Sequence, residues 1–219
     1  MGVCGGVEWR FASRRPAAMP ATSPDSANPD VVGAVRHWLA RAVIGLNLCP
    51  FAKSVYVKDQ VRYVVSAATR DEDVLDELER ELRLLADTDP AQTDTTLLIV
   101  PHALADFLAF NDFLYFADRL LRSLRLAGTL QIASFHPDYQ FEGTAPDDIE
   151  NYTNRAPYPI LHLIREASIA RATEAVPDAA DIYERNQATM RRLGPEGYRR
   201  WMSEKSDISE NSEKSEDES

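Results

Sequence analysis

The chain has few residues of several types, and each shortage excludes a class of protein. Two cysteines among 219 residues, Cys4 and Cys49, are too few for the disulfide framework of a small secreted domain. No run of about 18 apolar residues occurs, so no segment is predicted to cross a membrane. Lys and Arg number 24 against 35 Asp and Glu, and the net charge of −11 argues against a nucleic-acid-binding protein.

Common catalytic motifs are also absent. The chain contains no GxxxxGKS/T phosphate-binding loop, no GxGxxG dinucleotide fingerprint, no GxSxG nucleophile elbow and no HExxH zinc motif. P-loop nucleotide hydrolysis, Rossmann-type dinucleotide binding, serine-hydrolase chemistry and common zinc proteolysis are therefore disfavoured. The sequence points to no particular cofactor and to no oligomeric state.

Composition divides the chain into three parts. Residues 1–28 lack the apolar core of a signal peptide and are interpreted as a flexible leader. Residues 29–202 carry the apolar patterns of one folded domain. Residues 203–219 combine seven acidic residues with one aliphatic side chain, Ile208, so this tail is predicted to be disordered. Without a signal peptide or a disulfide framework, a cytoplasmic location is expected.

Apolar periodicity inside the domain alternates between helix and strand. This order predicts an α/β fold: a single layered domain with about four main strands, mostly parallel, packed by helices. The predicted elements are helix 29–47, strands 54–57 and 61–66, helix 70–87, strand 95–100, helix 103–126, strand 130–135, a long connection over 136–159, strand 160–164 and further helices up to residue 202.

Polar side chains follow three of the predicted strands. Thr69 and Arg70 come after the first of these, His102 after the second, and His136 and Asp138 after the third. In open α/β sheets, ligands bind beyond the carboxyl ends of parallel strands. If the three strands are parallel, these five residues meet at one edge of the sheet and form a candidate site.

The connection that begins at His136 is long enough to serve as a lid or binding loop. Asp138 is placed to orient the His136 imidazole, although both residues equally suit a purely structural turn. Asn154 and Arg155 close the loop, and Arg155 suits a carboxylate or phosphate because a guanidinium donates two parallel hydrogen bonds. A salt bridge to the acidic residues of the same loop is the structural alternative for Arg155.

Cys49 is the only thiol inside the predicted domain and is a candidate nucleophile. Its position after a predicted helix disfavours the thiolate, because the helix dipole is negative there. Lys53 is a nearby cation that favours the thiolate. A buried, unreactive thiol is the structural alternative, and His162, inside a predicted strand, is interpreted as a core or strand-face histidine.

Three stretches resemble a known family. GLNLCPFAKSV (45–55), SFHPDYQFEGTAPDDIENYTNRAPYPILHLIREASI (134–169) and IYERN (182–186) are similar to the domain of unknown function 1415 family, a group of uncharacterised bacterial proteins. The resemblance spans about residues 30–197. It implies the limits of the domain and assigns no activity and no catalytic residue.

Three functional hypotheses follow. The first is a cytoplasmic enzyme that acts on a small anionic metabolite, by hydrolysis or group transfer, with His136 as acid or base and Asp138 orienting it. Arg155, Arg70, Thr69, His102 and Asn154 would hold the substrate, and Cys49 is a second candidate for the catalytic group. The second hypothesis is a non-catalytic module that binds a ligand or a protein through residues 136–158. The third is a metal-binding protein that uses His102, His136 and Asp138, with His162 or Cys49.

Overall fold

A computed structural model describes residues 30–174 and 182–204. The predicted leader, 1–28, and residues 205–219 of the predicted tail lie outside the described residues. None of the described helices is long and apolar enough to span a bilayer. In chain order the elements are α1 (Val31–Trp38), a π-helical segment (Leu39–Ile44), α2 (Ala52–Val57), β1 (Val61–Val65), α3 (Asp71–Asp87), β2 (Thr95–Ile99), α4 (Phe107–Ser123), β3 (Leu130–Phe135), a 3-10 helix (Ile149–Thr153), β4 (Ile160–Arg165), α5 (Glu166–Glu174) and α6 (Ile182–Ser203).

The sheet is mixed, and its strand order is β1-β2-β4-β3. β1 and β2 pair in parallel, whereas β4 lies between β2 and β3 and is antiparallel to both. The prediction of a mostly parallel sheet is therefore wrong. The reason is that the connection after β3 returns to the edge where β3 ends, so β4 must run backwards. β1, β2 and β3 still point in one direction, and their carboxyl ends share one edge.

One face of the sheet is covered by α3 and α4. The side chains of β2 alternate between the two faces, as the strand period of two requires. Leu98 points to this side, and so does Val100, the residue directly after the strand. They pack against the buried stripe of α3, which includes Leu78 and Leu82, and against Phe110 of α4. Helical spacing of apolar residues in α3 and α4 thus produces a continuous core on this face.

The opposite face is covered by α1, the π-helical segment and α6. Leu97 and Ile99 point to this side and pack with Trp38 of α1 and with Met190 and Tyr198 of α6. This second core covers only part of the sheet face, and the remainder borders the cavity described below.

The segment before β1 differs from the sequence prediction. α1 begins after Asp30, whose Oδ1 accepts from the N–H of Gly33 at 2.7 Å. The predicted helix 29–47 is divided into α1 and the π-helical segment, and the predicted strand 54–57 is the end of helix α2. The β-branched residues Val55 and Val57 suggested a strand, but strand propensity is weak unless a neighbouring strand is available.

Candidate functional site

His136 is completely buried just beyond the carboxyl end of β3. Its Nε2 donates to the carbonyl oxygen of Leu104 at 3.1 Å, and its Nδ1 accepts from the backbone N–H of Asp138 at 3.0 Å. This arrangement requires the neutral tautomer with its proton on Nε2. Burial lowers the pKa of His136, and the hydrogen bond to Leu104 offsets part of that effect. Backbone groups therefore occupy both ring nitrogens.

Asp138 and Asn154 belong to the same hydrogen-bonded cluster as His136. Asp138 contacts the imidazole through its backbone N–H and not through its carboxylate. The carbonyl oxygen of Asn154 accepts from the N–H of His136 at 3.2 Å, and its side-chain amide donates to the carbonyl oxygen of Ser134 at 3.4 Å. These contacts close the end of β3 and join it to the far end of the long connection.

Arg155 directs its guanidinium at the backbone of its own loop. Nε donates to the carbonyl oxygen of Tyr139 at 3.2 Å, and a terminal nitrogen donates to the carbonyl oxygen of Pro146 at 2.5 Å. The guanidinium carbon also lies 4.5 Å from the ring centroid of Tyr152. The alternative expectation, a salt bridge within the loop, is not met among the described residues. The side chain instead fixes the shape of the loop.

The remaining residues predicted at this edge are exposed. Arg70 donates to both carboxylate oxygens of Asp73, at 2.8 Å and 2.6 Å. Arg70, and not Thr69, is the residue that precedes α3, and it provides no side-chain cap. Within the described part of the chain, Thr69 and His102 form no side-chain hydrogen bond. The edge predicted from the topology exists, but no described side-chain contact links these three residues to His136.

A cavity of about 740 Å³ lies on the opposite face of the sheet, beside the first residues of β1 and β2. Its size is within the range typical of sites for small molecules. The walls come from α1, the π-helical segment, α2, α5 and the sheet, and most of them are apolar. The apolar residues include Trp38, Leu39, Val43, Val61, Leu97 and Phe135.

His162 is a polar group in the sheet wall of this cavity. Its Nε2 lies 2.7 Å from Oγ1 of Thr95, and that hydroxyl donates its only proton to the carbonyl oxygen of Leu163 at 2.6 Å. Nε2 must therefore carry the imidazole proton, which leaves Nδ1 as an acceptor. No described residue donates to Nδ1. Burial lowers the pKa of His162 to about 4, although part of the ring is open to the cavity.

Cys49 lines the same cavity and is half-buried. Burial raises the pKa of its thiol, and hydrogen bonds from the backbone N–H groups of Phe51 and Ala52 offset part of that rise. Cys49 thus lies just before α2, where N–H groups face the sulfur. The prediction from sequence placed it only at the end of a helix, because α2 was not recognised. At neutral pH the group is a protonated thiol.

The open rim of the cavity has a different charge from the rest of the chain. The lining includes two cations, Lys58 and Arg171, and one carboxylate, Asp94. Asp94 is buried, accepts from Oγ of Ser168 at 2.6 Å and lies 3.9 Å from Arg171. Lys58 is exposed and forms no ion pair with any described residue. The cavity therefore has a positive rim in a protein whose net charge is −11.

The structure gives no support to the metal hypothesis. Among the described residues, no three His, Cys, Asp or Glu side chains are grouped so that they could hold a metal ion. The reason is geometric: His136 points to the α4 face and packs against Phe107 and Phe110, whereas His162 and Cys49 line the cavity on the other face.

Sequence reasoning assigned His162 to the core and missed its place in the cavity. The available signal was a polar residue inside the apolar run Ile160–Ile164, together with a second polar residue, Thr95, at the start of β2. That signal depended on the pairing of β2 with β4. Thr95 is paired with Ile164 and Leu97 with His162, so Thr95 and His162 lie diagonally on one face.

The comparisons with known proteins give one match. A family model described as "Protein of unknown function (DUF1415)" matches residues 30–200, most of the chain. No curated protein and no solved structure matches the chain.

Proposed function

Because the chain belongs to the DUF1415 family, whose description assigns no activity, we propose a function from its own geometry: the protein binds a small, largely apolar molecule in the cavity beside β1 and β2. The observation that carries this proposal is a cavity of about 740 Å³ with an apolar interior and a few polar groups. Such a combination is typical of ligand sites, where apolar walls supply affinity and polar groups fix orientation.

The two cores of the protein support the choice of this cavity. On the α3 and α4 face, buried leucines and phenylalanines fill the space above the sheet, as close packing of protein interiors requires. On the other face, an apolar space of this size stays open beside Trp38, Leu97 and Phe135. An open apolar cavity contributes nothing to the stability of the fold, so we interpret it as a ligand site.

The acid–base hypothesis stays a prediction with weaker support. It depends on His136, whose two ring nitrogens are both hydrogen-bonded to backbone groups and whose ring is completely buried. A general acid or base needs a ring nitrogen within hydrogen-bond reach of the substrate. Cys49 stays a predicted nucleophile, and it is the catalytic candidate that borders the cavity.

The hypothesis that residues 136–158 form a contact surface also has weaker support, because polar groups of this loop are hydrogen-bonded within the loop. Asn151 is completely buried in this loop; its Oδ1 accepts from the N–H of Phe141 at 3.0 Å and from Oγ1 of Thr144 at 2.8 Å. Together with those of Arg155, these bonds use several polar groups of the loop to hold its own shape. We therefore favour the cavity as the binding site.

Titration with an amphipathic fluorescent dye, 1-anilinonaphthalene-8-sulfonate, whose aromatic rings suit the apolar interior, tests the proposal. We expect saturable binding of one dye molecule per chain by isothermal titration calorimetry, with an increase in dye fluorescence. The variant Ala133→Phe places a ring into the sheet wall of the cavity and should weaken binding at least tenfold. The control Ala109→Phe adds the same ring to the exposed side of α4 and should leave the affinity unchanged.

A second blocking variant controls for a fold defect caused by substitution at Ala133, which is half-buried. Ala91 is exposed at the rim, so Ala91→Phe narrows the entrance without disturbing the sheet. Urea denaturation of each variant reports whether its fold is intact. The proposal is wrong if the dye fails to saturate at one site, or if Ala91→Phe and Ala133→Phe bind it as the native chain does.

A further inference from the structure

The chemical character of the cavity changes from its interior to its rim. Trp38, Leu39, Val43 and Leu97 are buried and form an apolar interior, whereas Lys58 and Arg171 are exposed. A ligand that fills both parts therefore has an apolar body and a polar head that faces the solvent side. This gradient restricts the class of molecule that the proposed site accepts.

The charges at the rim select the sign of the head. Arg171 is already engaged, since its guanidinium donates to Oγ of Ser168 at 2.9 Å and faces Asp94. Lys58 has no ion pair among the described residues and is available at the rim. An ammonium group attracts a carboxylate or phosphate and repels a cation. Because Lys58 is the one ammonium without an ion pair among the described residues that line the cavity, a head with a single negative charge fits best.

The interior contains one further specificity element, the Nδ1 atom of His162. The hydrogen bond between Nε2 and Oγ1 of Thr95 fixes Nδ1 as an acceptor, and no described donor satisfies it. A ligand atom that donates a hydrogen bond, such as a hydroxyl, satisfies this nitrogen, whereas a methyl group in the same place leaves it unpaired. Nδ1 is open to the cavity, so a ligand that fills the cavity excludes solvent from it, and a ligand without a donor then leaves this nitrogen unpaired.

We infer that the cavity binds a hydroxylated aliphatic or aromatic monocarboxylate, with its carboxylate beside Lys58 and its hydroxyl against Nδ1 of His162. This inference rests on the proposed function, because it names the ligand class of the same cavity. It adds two features, one anionic head and one buried donor, and each is tested separately below.

Calorimetry with matched aliphatic ligands tests the anionic head. We expect octanoate to bind about tenfold more tightly than 1-octanol, because the two share a chain and differ in charge. Lys58→Gln should remove this preference. Lys53→Gln, in the first turn of α2 and outside the cavity lining, should keep it. Both lysines are exposed, so neither substitution threatens the fold.

A series of ω-hydroxy acids with six, eight and ten carbons tests the buried donor. At the chain length that places the hydroxyl at His162, we expect the hydroxy acid to bind several-fold more tightly than the unsubstituted acid. His162→Phe should remove this gain and keep the preference for a carboxylate over an alcohol. Phenylalanine retains a ring of similar shape, and urea denaturation confirms that the variant is folded.

The outcomes separate this inference from the proposed function. If 1-octanol and octanoate bind equally at the cavity, the inference that the ligand has an anionic head is wrong, and the proposed binding function stands. If Lys53→Gln acts as Lys58→Gln does, the preference is a general charge effect and the assignment to Lys58 is wrong. If no hydroxy acid gains affinity, the buried donor is wrong. If neither the dye nor any of these ligands binds, the proposed function itself fails.

Discussion

Two regions of the molecule collect polar side chains, and they use them in different ways. At the carboxyl ends of β1, β2 and β3, His136 and Arg155 direct their nitrogens at backbone carbonyl and N–H groups. In the cavity on the other face, Nδ1 of His162 and the ammonium of Lys58 have no described partner. The side chains of the first region stabilise the fold through their hydrogen bonds. In the second region, two polar groups are available to bind a ligand.

The comparison shows why location alone does not identify a site. Loops have backbone groups that no strand satisfies, and buried ones must find partners. The long connection after β3 meets this requirement with the side chains of His136, Asn151 and Arg155, so these three residues stabilise the loop. A polar side chain in a regular strand is not needed to satisfy buried backbone groups, since the backbone around it is already paired within the sheet.

The largest expected effect is on the free energy of unfolding, and it distinguishes His136 from His102. We expect His136→Ala to lower the free energy of unfolding by about 4 kcal/mol, because it removes a buried ring and leaves the Leu104 carbonyl and the Asp138 N–H unpaired. Urea denaturation at neutral pH measures the change.

His102→Ala is the matched control at the same edge of the sheet. His102 is exposed and forms no side-chain hydrogen bond with any described residue, so its removal should leave the urea midpoint unchanged. Equal effects of the two substitutions would show that His136 does not stabilise the loop as described. The distinction between structural side chains at the sheet edge and available side chains in the cavity would then be wrong.

The next effect is a pH dependence that arises in the cavity. His162 has a pKa of about 4 in the folded protein and 6.5 as a free side chain. Between these values the unfolded chain binds more protons at this position than the folded chain, so stability falls as the pH is lowered from 6.5 to 4. The shift corresponds to at most about 3 kcal/mol, because part of the ring is open to the cavity, and below pH 4 this contribution no longer changes.

His162→Phe isolates this contribution from the other titrating groups. His136 and the carboxylates contribute to both proteins, so they cancel in the difference between the two pH curves. We expect this difference to change between pH 6.5 and 4 and to be constant outside that window. A difference that stays constant throughout would mean that His162 is solvated, and the cavity would then be a wet surface cleft.

The local parts of the fold are predictable from the sequence because local patterns determine them. The spacing of Val74, Leu78, Leu82 and Leu85 predicts α3, and these four residues are the buried side of that helix. The apolar run at 95–100 likewise predicts β2, in which every side chain is buried. In each case, one stretch of residues contains the whole signal.

The position of β4 and the cavity are not predictable in this way. The run Ile160–Ile164 indicates a buried strand but does not specify its neighbours, because a continuous apolar strand fits between β2 and β3 in either direction. The pairing decides that His162 and Thr95 meet, so the cavity cannot be located without it. The missed helix α2 has the same cause: Val55 and Val57 have strand propensity, and only the tertiary structure shows that they form a helix and pair with no described strand.

The smallest expected effect is on the rate at which the Cys49 thiol is alkylated, and the fold stays unchanged. In a Cys4→Ser background, Cys49 is the only thiol. Because burial raises its pKa, a smaller fraction is thiolate at pH 7, and iodoacetamide should alkylate it more slowly than N-acetylcysteine. Mass spectrometry measures the rate, and saturation with the dye should slow it further, since the thiol lines the same cavity.

The control is Cys49→Ser with Ser54→Cys, which moves the thiol to the exposed rim, where it should react at the ordinary rate. If the thiol at position 49 reacts as fast as the thiol at position 54, the cavity does not shield Cys49, and the role of Cys49 as a nucleophile gains support.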